Sequence, residues 1–200
     1  FGLFVFIFIV IDLAIAAFRY GIAATSSNKA MRAGVMNMIE KQLTAKDTIL
    51  YDAGAGWGGL CFALSRKFSN PVIGLEGGLA PWVLSLARQK TQNNTQVIFK
   101  RTNIHDFQYE SGSIIVAYLC MKGVQELHQT LSKQDGHFVL ISVAFAVNNL
   151  NHATKYEAKD WWRTPIYVYE IRSKLTTRYI KCYILQDSAR ICVKICCING

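Results

Sequence analysis

The chain has 200 residues, 52% of them hydrophobic, and 22 Lys and Arg against 13 Asp and Glu give a net charge of +9. That length suits one domain with its own core. The six cysteines form no CxxC pair and no disulfide framework, and Cys192, Cys196 and Cys197 lack a second ligand pair, which leaves reduced thiols and no expected metal. The basic residues are spread along the chain, so they suit an acidic partner such as anionic lipid or RNA in general and mark no dedicated nucleic-acid patch.

Residues 1–18 are apolar except for Asp12. As a helix they would span roughly 27 Å, close to the bilayer core. No Lys or Arg precedes them and no small-residue cleavage site follows, so residues 1–19 read as a membrane anchor, with a long buried helix or an uncleaved signal as the alternatives. Arg19, Lys29 and Arg32 follow at once, which places the main domain, residues 20–171, on the cytoplasmic side. Ser26 or Ser27 can cap a helix whose apolar face is Met31, Val35, Met38 and Ile39. Lys46-Asp47 marks a turn before a short buried strand over residues 48–51. Leu60, Cys61, Leu64 and Phe68 form a helical stripe that Ser69-Asn70-Pro71 ends. A second strand covers residues 72–75 and stops at Glu76, and Pro81 opens a helix running to about Gln92. Strands follow at residues 96–100 and 113–119, then a helix through Val124, Leu127 and Leu131, then strands at residues 137–145 and 166–171. Near-continuous apolar strands alternating with helices indicate an α/β, Rossmann-like, doubly wound and mostly parallel sheet. Residues 172–200 read as a C-terminal extension that could fold as a hairpin around Gln186-Asp187-Ser188-Ala189.

Between the first strand and its helix lies Asp52-Ala53-Gly54-Ala55-Gly56-Trp57-Gly58-Gly59. Such a turn brings backbone close to a cofactor without Cβ clashes. Gly54-x-Gly56-x-x-Gly59 also satisfies the dinucleotide fingerprint, and Glu76, about 20 residues on, suits the ribose of either an NAD or an S-adenosylmethionine (SAM) site. Asp52 separates the two. A carboxylate beside the turn would repel a pyrophosphate, whereas SAM has no phosphate and carries an ammonium.

Asp52-x-Gly54-x-Gly56-x-Gly58 resembles motif I of class I SAM-dependent methyltransferases. The likeness extends over residues 20–171 and the apolar start. The chain looks like a group of membrane-anchored bacterial methyltransferases related to the mitochondrial lysine methyltransferases of ATP synthase subunit c and the adenine-nucleotide translocase. Gly74-Leu75-Glu76 with Ala80-Pro81-Trp82, Val116-Ala117-Tyr118-Leu119, residues 138–145, and Trp162-Arg163-Thr164-Pro165-Ile166-Tyr167-Val168-Tyr169 carry the resemblance. The resemblance implies that Asp52, Gly54, Gly56, Trp57 and Gly58 line SAM, that Glu76 holds its ribose, and that Asn103 and Ile104 border its adenine. Asn103 stands where the family usually has Asp, and its carbonyl oxygen can still accept. Residues 23–27 stand where a proline-containing motif usually closes over SAM; Thr25 or Ser26 is the candidate replacement.

Methyl transfer needs a deprotonated nucleophile in line with the methyl group, with water excluded. Tyr118, ending the fourth strand, is placed to orient a substrate amine or to serve only as a wall. Trp57 and Trp82 flank the same end as wall or core residues. No Asn/Asp-Pro-Pro-Tyr/Phe motif follows that strand, and His105, His128, His137 and His152 are scattered. Cys120 has no His/Asp arrangement to make it a nucleophile, and Asp106 reads as a loop charge. The expected activity is methylation of a protein lysine at the membrane. A methyltransferase for a small molecule, lipid or RNA, an NAD-dependent oxidoreductase and a non-catalytic nucleotide-binding protein are the alternatives.

Overall fold

The computed structural model describes residues 11, 27–92, 94–148, 150 and 154–172. The remainder of the apolar segment, Thr25, Ser26, His152 and the proposed hairpin of the extension lie outside the described residues.

Helix α1 spans Lys29–Gln42 and buries Met31, Val35, Met38 and Ile39, the face its periodicity marks. Its cap is Asn28, whose side chain accepts from the Met31 N–H at 2.8 Å, and not Ser26 or Ser27. Strand β1 is Leu50–Ala53, two residues later than the apolar run suggests, so Asp52 sits within the strand. Helix α2 (Gly59–Lys67), strand β2 (Val72–Glu76), helix α3 (Leu79–Thr91) and strand β3 (Val97–Arg101) follow as the sequence indicates. Strand β4 (Ile114–Ala117) ends one residue before Tyr118. Helix α4 (Met121–Lys133) and strand β5 (His137–Val143) then complete the parallel part. Strand β6 (Thr154–Glu157) has no counterpart among the sequence expectations, and strand β7 is Pro165–Arg172.

The seven strands form one mixed sheet in the order β3-β2-β1-β4-β5-β7-β6. The first five are parallel; β7 runs antiparallel to β5, with Val143 opposite Ile166, and to β6. One face is covered by α1, α2 and α3, with Met38, Phe62, Leu64 and Leu86 packing on Leu50, Val72 and Val116. The other carries α4, through Val124, Leu127 and Leu131, and an irregular β3–β4 connection. In that connection Phe107 and Tyr109 pack edge-to-face with each other and with Tyr51, at centroid distances of 5.1 to 5.6 Å, in place of a helix. The sheet order reverses between β2-β1 and β4, which opens a crevice beyond the carboxyl ends of β1 and β4, where ligands bind in open α/β sheets.

Candidate functional site

The turn after β1 lies at that crevice. Gly54, Gly56 and Gly58 all have positive φ, at 87°, 52° and 74°. Only glycine takes such angles without steric cost. Three anchors fix the turn to its neighbours. The Leu75 carbonyl accepts from both Gly54 N and Ala55 N at 2.9 Å. The Glu76 carboxylate accepts from Gly56 N through Oε2 and from Gly78 N through Oε1, each at 2.7 Å. An Arg88 guanidinium nitrogen donates to the Trp57 carbonyl at 2.6 Å. Glu76 is buried, so these charge-assisted bonds replace the water its carboxylate has lost. The two glycines it joins open the paths to α2 and α3, which makes one carboxylate the staple for both helix starts.

Asp52 lies beneath the turn, buried to 5% exposure. Its Oδ2 accepts from the Cys61 thiol at 3.3 Å. Burial pushes its pKa up to about 7; the Cys61 hydrogen bond opposes that rise, Glu76 adds to it and Arg32 opposes it. Burial, then the charge of Asp52, pushes the Cys61 thiol well above its ordinary value, so it remains a protonated donor. Arg32 donates to the Ser27 carbonyl through Nε at 3.0 Å and Nη2 at 2.6 Å, and reaches the Gly59 carbonyl at 3.4 Å. A cation beside the first residue of α2 opposes the helix dipole, and the nearby Asp52 and two carbonyls compensate it.

The other expected residues fall into three places. Trp57 is on the turn and 39% exposed. Tyr118 is half-buried just past β4, its ring packed on the α1–α2 side of the sheet. Asn103 forms a local turn, accepting from His105 N at 3.2 Å while its amide donates to Asp106 at 2.7 Å, so Asp106 brings a carboxylate to that loop. The side chain of Ile104 is in the core with Ala53 and Leu75, and its carbonyl accepts from the Tyr109 hydroxyl, so only its backbone can border a ligand. Trp82 packs on the core below α3 and points its indole N–H at the Phe99 carbonyl, 3.4 Å away. Nothing in the local sequence pattern of Arg32, Arg88 or Cys61 signals that they meet the turn in space. A polar hollow between Thr48, Asp47, Glu110 and Ser113 opens at the opposite, amino-terminal ends of the strands. Among the described residues no group of three His, Cys, Asp or Glu could hold a metal ion.

No family model matches the sequence, and no curated protein matches it. Solved structures do match the fold. An RNA methyltransferase from Salinibacter ruber, in complex with S-adenosyl-L-homocysteine, superposes with a TM-score of 0.64 at 17% identity, covering 75% of this chain and 95% of that one. The fold is the Rossmann-like one of class I methyltransferases. Protein yhhF of Escherichia coli matches with a TM-score of 0.59 at 12% identity, over 76% of this chain and 92% of that one. The cyclase SpnF matches at 0.50 and 12%, over 72% and 60%. A cyclase among these structures shows that the methyltransferase-type fold hosts more than one reaction, so the reaction must be argued from the site. Among the described residues no helix is long and apolar enough to cross a membrane.

Proposed function

We propose that this chain is a SAM-dependent methyltransferase whose acceptor is a lysine of a membrane-associated protein, with residues 1–19 as its membrane anchor and the catalytic domain on the cytoplasmic side. The observation that carries the cofactor is the pair of buried acids at the switch-point turn: Glu76 holding Gly56 and Gly78, and Asp52 beneath them. A cradle with two carboxylates and glycines of positive φ suits a phosphate-free, cationic ligand. Under this reading the ribose hydroxyls meet Glu76, the ammonium and sulfonium lie toward Asp52, and the adenine borders the Asn103–Asp106 loop. SAM supplies an electrophilic methyl group. The chain's task is to exclude water and to hold a neutral amine in line, so that the N–C bond forms as the S–C bond breaks and the amine then loses a proton to solvent. Tyr118 is the candidate for orienting that amine. The protein-lysine acceptor and the anchor rest on resemblance to the membrane-anchored lysine methyltransferases. The similarity to an RNA methyltransferase and the +9 charge support RNA as the second acceptor class.

Calorimetry with SAM, S-adenosylhomocysteine and NAD tests the cofactor. A cation arriving beside an aspartate whose pKa is about 7 favours its ionised form. SAM binding near pH 6.5 is therefore expected to release protons, seen as a heat that varies with buffer ionisation enthalpy. Binding of NAD without SAM would overturn the reading. Labelled-methyl transfer from SAM into membranes and total RNA, followed by mass spectrometry, tests the acceptor: label on lysine supports it, and label confined to RNA replaces it with the second class.

A further inference from the structure

The β6–β7 connection carries Trp161 and Trp162 side by side, 90% and 81% exposed. The loop that carries them is pinned. Asp160 accepts from Thr164 N at 2.8 Å and from the Thr164 hydroxyl at 2.7 Å, and its Oδ2 also accepts from Asn28 Nδ2 at 3.1 Å. Arg163 takes a positive φ of 48°, donates its N–H to the Asp160 carbonyl at 3.1 Å, and pairs with Glu157 at 2.8 Å. A left-handed non-glycine residue thus closes the loop that carries the two exposed indoles.

Its position matters. The Ala144 N–H bonds to the Pro165 carbonyl at 2.8 Å, so the loop stands at the carboxyl end of β5, the same end of the sheet as the glycine turn. Through Asn28 it is tied to the cap of α1, ten residues after Phe18, the end of the apolar stretch. Ten residues reach at most about 35 Å. Lys29, Lys159 and Arg163 lie near the indoles in sequence or through these bonds, and the two acids of the loop are engaged by Arg163, Thr164 and Asn28.

We propose that Trp161 and Trp162 form an interfacial docking element that seats the glycine-turn end of the sheet against an anionic bilayer surface. Indoles have an apolar body and a polar N–H, and they concentrate at the headgroup level of membranes. The spread positive charge supplies attraction to anionic lipid, whereas stacking on a nucleic-acid strand would ask for a basic track alongside, and the sequence has no such block. The docking does not depend on which group the site transfers.

The test uses the full chain in phosphatidylcholine vesicles containing a third phosphatidylglycerol, with the phosphatidylcholine brominated near the headgroup end of its acyl chains. The chain has four tryptophans, so quenching of the two loop indoles should remove about half of the emission relative to unbrominated vesicles. The double variant W161F/W162F, which keeps apolar rings but removes their indole fluorescence, should show less quenching, from Trp57 and Trp82 alone. A wild-type chain quenched no more than this variant overturns the proposal, as does quenching by single-stranded RNA in place of brominated lipid. Because phenylalanine at two exposed positions leaves the packing intact, circular dichroism should superpose for the two proteins. A second variant, D160A, unpins the loop and should reduce the quenching while SAM affinity stays within about twofold; quenching as strong as that of the wild type there overturns the role given to the pinned loop.

Discussion

Gly56 and Gly58 read the same in the sequence, and their surroundings differ. A Cβ on Gly56 would meet nothing within 4 Å, whereas one on Gly58 would stand 2.5 Å from the Phe99 ring and 3.0 Å from Phe62. Gly56 thus faces the open space of the crevice and Gly58 faces the core. Gly56→Ala should cost only the left-handed backbone penalty, about 1–2 kcal/mol, because its methyl group points into that space. Its SAM affinity should fall at least tenfold. Gly58→Ala should lose about 1–3 kcal/mol through overpacking on top of the same penalty. Urea melts and calorimetry separate the two; equal stability losses would show that the two glycines do not divide the work in this way. Glu76→Gln gives a second residue-level test. A carboxylate accepts on both oxygens, but an amide accepts on one only, so either Gly56 N or Gly78 N must face an NH2 group. That mismatch should cost about 1–3 kcal/mol in thermal or urea unfolding and loosen the turn. A Gln variant as stable as the wild type would mean the staple is dispensable.

Among the elements, those with an apolar period were legible and those held by tertiary partners were not. Strands β2, β4 and β5 are near-continuous Ile, Val and Leu because both faces are covered, so their burial is written into composition. Strand β6, Thr-Lys-Tyr-Glu, has no apolar run, and as an edge strand it owes its existence to β7 alone. The β3–β4 connection was equally hidden, since three aromatic rings replace a helix there. Helix α1 was legible in its stripe but not in its closeness to the sheet. Gly34 is the contact: a Cβ there would stand 2.7 Å from Ile166 Cδ1 and 3.0 Å from the Tyr156 ring. Helix propensity favours alanine over glycine by about 1 kcal/mol, yet the overlap with β6 and β7 should outweigh it. Gly34→Ala is therefore expected to lower stability by about 1–2 kcal/mol, measured by chemical denaturation. A stabilised variant would mean that Ile166 and Tyr156 give way freely.

At the scale of the whole molecule, the same buried acid that suits the site sets how stability depends on pH. The glycine turn and the two acids were readable as a set; that Asp52 lies under the turn against Cys61 was not, since it requires β1 to begin two residues later than its apolar run. The consequence has a definite sign. Asp52 has a pKa of about 7 in the folded chain against an ordinary 3.8, so the folded state holds its proton more tightly than the unfolded state. Stability from this group therefore falls as pH rises from about 4 to about 7 and is level above that. The rise corresponds to up to about 4 kcal/mol at pH 8. Asp52→Asn keeps an acceptor for the Cys61 thiol and cannot ionise. It should be more stable than the wild type at pH 8, by an amount that shrinks toward zero near pH 4, in urea melts across that range. If the carboxylate is there for a cationic cofactor, the same variant should bind SAM at least tenfold more weakly at pH 8, so that the gain in fold comes with a loss in ligand. A variant less stable at pH 8 than the wild type would show that Arg32 and Cys61 already satisfy the ionised form. A variant that gains stability and keeps its SAM affinity would leave Asp52 a structural acid only.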